Sequence, residues 1–232
     1  MTDIHSHVLP EMDDGSRSVA ESCEMLRLLQ QQGIDRVAAT PHYNPDRETV
    51  ADFLVRRRDS LAKLEAEIPR GMPRIFPGAE VAYYEGISRL EGLSSLCIEN
   101  TNLLLIEMPV GKWSEYAVRE LTDIASGGKT VPVIAHIERC IFFQSKEVFG
   151  RLLENGILMQ MNSGFINDFR TRFRAMKLFK KSKVHFLGSD CHNTHSRAPD
   201  IGRAHSILLN KLGSNYMSGF SAYADNFFTN KN

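Results

Sequence analysis

The chain has 232 residues, and its 28 Lys and Arg balance 28 Asp and Glu to a formal net charge of zero. Its length allows a core that needs no disulfide or metal staple, and 42% hydrophobic with 24% charged residues argues against a largely disordered chain. The lack of a basic excess argues against a dedicated nucleic-acid binder, and no apolar run approaches the roughly 18 residues of a membrane helix.

The start, Met1-Thr2-Asp3-Ile4-His5-Ser6-His7, lacks the basic and apolar regions of a signal peptide. Cys23, Cys97, Cys140 and Cys191 are far apart and form no CxxC pair, so reduced thiols in the cytoplasm are expected. In chain order, the pattern predicts a strand over 2–5, a helix over 16–32, a strand over 36–40 and a helix over 46–67. A strand over 74–77 and another over 103–106 come next, then a helix over 114–126, a strand over 131–135 and a helix over 145–154. Strands over 157–161 and 184–187 flank a helix over 167–181, and a last helix covers 200–212. The tail from Gly213 carries no assignment. Continuous apolar runs, most of them spaced like βα units, fit buried parallel strands. The expectation is one α/β domain over 1–232 with a barrel-like sheet.

The His and acidic residues fall where those strands end. His5 and His7 end the first strand, and side chains two apart on an extended chain share a face, so both imidazoles can reach one metal. Asp14 follows in DDG, His42 follows the second strand, Glu80 the third and Glu107 the fourth. His136 follows the fifth strand in AHIER, and Asp190 and His192 follow the seventh in SDCH. Each alone has a plain structural reading. Their recurrence at six strand ends points to a metal site, because barrel active sites are built there. Mixed imidazole and carboxylate ligands suit Mn, Zn or Fe.

The ordered set DIHSH, DDG, TPHY, PGAE, IEMP, AHIER and SDCH, over residues 3–199, resembles the PHP (polymerase and histidinol phosphatase) superfamily. Within it the chain is similar to bacterial manganese-dependent protein-tyrosine phosphatases of the CpsB/CapC/YwqE type, linked to capsule and exopolysaccharide synthesis. The resemblance implies a distorted seven-stranded TIM-like barrel and three divalent ions, Mn preferred, with Fe, Zn, Mg or Co as alternatives. It places His5, His7, Glu80 and Asp190 on one metal, Asp14, His42 and His192 on a second, and Glu80, Glu107 and His136 on the third. Arg139 and Arg197 match the phosphate-binding arginines. The implied reaction is in-line attack of metal-bound hydroxide on a phosphomonoester, with no phosphoenzyme. His42 and Asp190 are candidate proton donors to the leaving group. The implied partner is a phosphotyrosine-bearing bacterial tyrosine kinase, with no nucleic acid and no direct membrane insertion. A homo-oligomer stays open, since Glu24–Arg27 is similar to an oligomer-forming segment of the family and equally reads as an i,i+3 surface pair.

Two motifs point elsewhere. Cys191 and Arg197 match C-x5-R of cysteine-dependent tyrosine phosphatases, but the loop between them has no glycine to wrap backbone N–H groups around phosphate. Gly128-Lys129-Thr130 is not a P-loop, because Asp123 stands where the first glycine is needed. Competing functions are a PHP phosphatase for a small phosphomonoester such as histidinol phosphate, a nucleic-acid 3′ phosphoesterase, an amidohydrolase and a non-catalytic kinase-binding regulator.

Overall fold

A computed structural model describes residues 1–229. The first helix, α1 (Val19–Gln31), begins at Ser18, whose hydroxyl accepts the Glu21 N–H at 3.2 Å. It starts later than expected because the Ser16 hydroxyl is spent on the Ser18 carbonyl and the Ser22 hydroxyl. Likewise α2 (Val50–Glu67) starts at the Thr49 cap and not at Asp46, whose N–H is held by Asn44 in a turn. The helices α3 (Glu115–Ser126) and α5 (Lys146–Glu154) are capped by Ser114 and Ser145, as the sequence pattern places them. A short α4 (Ile137–Cys140), unassigned from sequence, follows His136 directly. The expected single helix over 167–181 is two helices, α6 (Ser163–Asn167) and α7 (Arg172–Phe179), because the Thr171 hydroxyl turns back to the Phe165 carbonyl. After α8 (Ile201–Leu212), the unassigned tail forms α9 (Ser214–Thr229). Residues 230–232 lie outside the described residues.

Every strand pairing is parallel. β1 (Thr2–Ser6), β2 (Arg36–Ala39) and β4 (Arg74–Pro77) form one sheet in that order. β3 (His42–Tyr43), β5 (Glu80–Ala82), β6 (Leu103–Glu107), β7 (Val131–Ile134), β8 (Leu158–Asn162) and β9 (Phe186–Gly188) form the other. The sequence shows β2 and β4 but not their short continuations β3 and β5, which resume after Thr40-Pro41 and Gly78-Ala79. Backbone bonds from Gly78 N–H to the Ala39 carbonyl and from Glu80 N–H to Pro41 carry the pairing across both breaks. Ser6 bridges Cys191 in parallel, so the end of β1 also meets the chain beyond β9.

Alternation along the strands divides the core. Leu104, Ile106 and Ile134 join the large cluster that includes α1 and α3, while Leu103, Leu105 and Val133 join a second one with Ile4, Phe76 and Phe186. Ala224 and Phe228 of α9 belong to that second cluster, Phe228 edge-on to Phe76 at 4.9 Å. Asp225 pairs with Arg36 and accepts from Thr2 at the strand starts. Thus α9 covers one end of the strands, and the polar residues at their other end are left for chemistry.

His185, just before β9, accepts the Met159 N–H on Nδ1 at 3.1 Å and lies near the Tyr223 ring of α9. Burial pushes its pKa down to about 4, from an ordinary 6.5. The unfolded chain therefore takes up a proton that the folded one refuses. This contribution to stability is complete above pH 6.5 and is lost as pH falls toward 4. Between pH 7.5 and 5, wild type should lose about 2 kcal/mol more than His185→Asn in urea unfolding. Equal losses would contradict it.

Candidate metal centre

His5 lies in β1 and His7 just after it, and their Nε2 atoms face each other at 3.3 Å. Glu80 opens β5 and is fully buried. Its carboxylate gathers four imidazoles, with Oε2 3.1 Å from His5 Nε2, 3.3 Å from His7 Nε2 and 3.1 Å from His42 Nδ1, and Oε1 2.6 Å from His136 Nε2. Asp190 Oδ1 is 3.5 Å from His7 Nε2 and 3.7 Å from His5 Nε2. Asp14 Oδ1 lies 3.5 Å from both His42 Nε2 and His192 Nε2, and Glu107 Oε1 is 3.7 Å from His136 Nε2. All the residues expected as ligands thus meet at the ends of the strands. Their grouping differs from the expected sets: His7 joins Asp14, His42 and His192, His136 and Asp190 fall together with His5, His5 and His7 stay with Glu80, and Glu107 lies with His42 and Glu80, donor atoms within 4.8 Å in each group. His185, His195 and His205 stay outside these groups.

The outer nitrogens explain why the rings face inward. His5 Nδ1 donates to Gln160 Oε1 (3.2 Å), His7 Nδ1 to Asp13 (2.7 Å), His136 Nδ1 to Asn162 Oδ1 (3.2 Å) and His192 Nδ1 to the Asp190 carbonyl (3.0 Å). An acceptor on Nδ1 puts the ring proton there and leaves the Nε2 lone pair toward the centre. Converging lone pairs and carboxylates repel one another unless protons or metal ions lie among them. Asp190 Oδ1 and His192 Nε2 are moreover buried without a hydrogen-bond partner. This donor set fits divalent metal ions.

The same crowding sets the electrostatics. Burial opposes charge on His5 and His7, yet Glu80, Asp190 and, for His7, Asp13 hold both above the ordinary imidazole pKa. Burial likewise opposes charge on Glu80, Asp190 and Asp13, and their histidine partners hold all three well below the carboxylate range. The cleft is built for negative groups matched by positive ones.

Asp13, Gln160 and Asn162 are positioning residues that the sequence reading missed. Asp13 also accepts the His42 N–H at 2.8 Å, tying the DDG turn to the start of β3. Gln160 also accepts the His136 N–H, and Asn162 donates to Asp190. Their available signal was a Gln and an Asn in and beside the apolar run of β8. Backbone geometry contributes as well. His136 and Asp190 have φ of 46° and 53°, left-handed values that non-glycine residues rarely adopt. A Cβ on Gly15 would lie 2.5 Å from both the Cβ and the carbonyl oxygen of His7, so only glycine lets the DDG turn approach the ligand.

Arg139, in α4, reaches Glu107 at 2.9 Å, and Arg197 reaches Asp190 at 2.8 Å. Both side chains are about two-fifths exposed, at 42% and 41%, and border the cleft. Cys191 is fully buried, and burial pushes its thiol far above the usual range, unlike an activated nucleophile.

Comparison with known proteins agrees with this geometry. The sequence profile of the family described as "Capsular polysaccharide synthesis, CpsB/CapC" matches residues 1–226. Tyrosine-protein phosphatase YwqE of Bacillus subtilis is 33% identical over 222 residues, covering 92% of this chain and 86% of that one. Tyrosine-protein phosphatase CpsB of Streptococcus agalactiae is 30% identical over 224 residues, covering 92% and 91%. A chain from the crystal structures of YwqE from Bacillus subtilis and CpsB from Streptococcus pneumoniae, described as unique metal-dependent tyrosine phosphatases, superposes with a TM-score of 0.84. It is 28% identical, and the match covers 100% of this chain and 96% of that one. By profile, sequence and fold, the chain belongs to the CpsB/CapC family of capsular polysaccharide synthesis.

Proposed function

We propose that this protein is a metal-dependent protein-tyrosine phosphatase acting on a tyrosine kinase of capsule or exopolysaccharide synthesis. The observation that carries the reading is the buried Glu80 carboxylate ringed by four imidazoles, with two guanidinium groups at the rim. His5, His7, Asp14, His42, Glu80, Glu107, His136, Asp190 and His192 would hold three divalent ions, manganese foremost. When bound, such ions supply Lewis acidity, acidifying water and offsetting charge on phosphoryl oxygens. The two breaks in the strands and the Ser6–Cys191 bridge support a closed, distorted barrel of seven strands in a single domain. No described helix is long and apolar enough to cross a membrane, and we place the protein in the cytoplasm.

The chain's own residues divide the remaining work. Arg139 and Arg197 offer planar, permanently charged donors to phosphoryl oxygens, exchanging Glu107 and Asp190 for substrate. The two candidate donors, His42 (38% exposed) and Asp190 (6%), are both counted among the ligands, so neither has a spare proton for the departing tyrosyl oxygen. Asp190 already faces Asn162, Arg197 and the histidines with both oxygens.

Turnover of a phosphotyrosine peptide and of histidinol phosphate, compared at equal metal loading, tests the substrate class. The reading predicts higher kcat/KM on the peptide, and the reverse order would replace it with a small-molecule phosphatase. Cys191→Ser separates the mechanisms. The buried thiol has no chemical role here, so near-normal and chelator-sensitive turnover is expected. A fully metallated but inactive variant would contradict that.

A further inference from the structure

Charge is unevenly spread over this neutral chain. Residues 168–183 carry seven Lys and Arg against one Asp, a balance of +6, so the other 216 residues carry −6. The segment contains α7, whose inner face buries Ala175, Leu178 and Phe179. Its outer side is uncovered, with Phe169 and Phe173 each 80% exposed. The two rings line an open groove of about 680 Å³ whose other walls are Met176 and five cations, with no acidic residue.

Some cations of the segment have local work. Arg170 pairs with Asp168, Arg172 donates to the Ile166 and Asn167 carbonyls, and Lys183 sits over the Phe149 ring. The ammonium groups of Lys177, Lys180 and Lys181 have no partner among the described residues. The apolar surface also continues past the helix. Arg174 lies over the Phe142 ring at 5.4 Å, and Phe142 and Phe143 are themselves about half exposed. Both follow Arg139 within four residues, so the patch runs toward the rim of the metal centre.

We infer that this face adsorbs peripherally to an anionic phospholipid bilayer. Mobile ammonium groups on long stems recognise diffuse negative charge, and protruding phenylalanine rings suit shallow insertion at the headgroup boundary. An extended or phosphorylated peptide would call for a free strand edge or a fixed arginine cluster, and an amphipathic helix for a dry apolar groove, whereas this groove is ringed by five cations. The free polar groups lining the groove are flexible lysines. Adsorption of this kind needs no spanning helix, and it would hold the metal centre close to the membrane surface.

The test is co-sedimentation of the full chain with vesicles of phosphatidylcholine containing about 40 mol% phosphatidylglycerol, against pure phosphatidylcholine. Binding to the anionic vesicles alone is expected, weakening as salt rises. Lys177→Ala/Lys180→Ala/Lys181→Ala should weaken it on the order of 100-fold, about fivefold per cation. Phe169→Ala/Phe173→Ala should weaken it at least about tenfold with charge unchanged. Unaltered thermal melting shows that both variants are folded. The inference is overturned by absence of vesicle binding, by equal binding of wild type and folded variants, or by capture of an acidic Glu/Tyr copolymer in place of vesicles. It is also overturned if wild type does not bind vesicles and self-associates in sedimentation velocity through the same phenylalanines.

Discussion

Glu80→Gln is expected to lower kcat/KM on a phosphotyrosine peptide by on the order of 10³-fold, the largest loss from any one ligand. Losing a group that only orients a ligand costs roughly 10–100-fold in metal affinity or activity. Glu80 itself faces His5, His7, His42 and His136, so its charge bears on every part of the cleft. The amide keeps the shape but loses the negative charge that the surrounding imidazoles and any bound cation face. Breaking a buried charge network by removing one partner costs about 3–5 kcal/mol, so the metal-free variant should also unfold more easily. Metal content, urea unfolding and kcat/KM together check this. A variant that binds metal and turns over like wild type would remove Glu80 from the centre. Asp13→Asn should fall in the lower range, because Asp13 only orients His7 and the DDG turn.

Arg197→Ala should cost about 10²–10³-fold in kcat/KM, the usual scale for a preorganised donor to transition-state charge. The fold should tolerate it, because this side chain is 41% exposed and its ion pairs are to the exposed Asp14 and to Asp190, which keeps Asn162 and the histidines around it. Lysine should restore little, since a point charge cannot offer two parallel N–H donors to phosphate. The measurement is kcat/KM for alanine and lysine variants at confirmed full metal content. Full rescue by lysine would mean that charge alone matters at this position, and no loss in either variant would take Arg197 out of phosphate binding.

The strands were legible because parallel strands buried on both faces write themselves as unbroken apolar runs, as in Leu103–Glu107. The candidate ligands were legible for a related reason: His5, Glu107 and His136 interrupt or end such runs, where burying a polar group needs a purpose. Geometry that depends on the backbone left no such mark. Nothing in AHIER or SDCH announces that His136 and Asp190 adopt left-handed conformations. The strand breaks at Thr40-Pro41 and Gly78-Ala79 read as strand ends, which hid β3 and β5. Gln160 and Asn162 act through histidines far away in sequence, a relation that one sequence cannot display. The tail after Gly213 looked polar and aromatic, yet Met217, Ala224 and Phe228 turn inward on one helix. Its partners, among them Phe76 of β4 and Phe179 of α7, lie far away in sequence.

The uneven charge is a further case. A total of zero obscured both the carboxylate-rich cleft and the +6 segment around α7, because each is offset elsewhere in the chain. Local charge, not the sum, carries the functional information here.

The central claim is that these histidines and carboxylates hold the divalent ions on which phosphotyrosine hydrolysis depends. Its most direct test is metal analysis of the purified protein alongside turnover of a phosphotyrosine peptide, before chelation, after chelation and after Mn²⁺ is added back. The account predicts that activity disappears as metal is stripped and returns as metal content recovers. Activity that persists in fully stripped protein, or none after complete reloading, would contradict it.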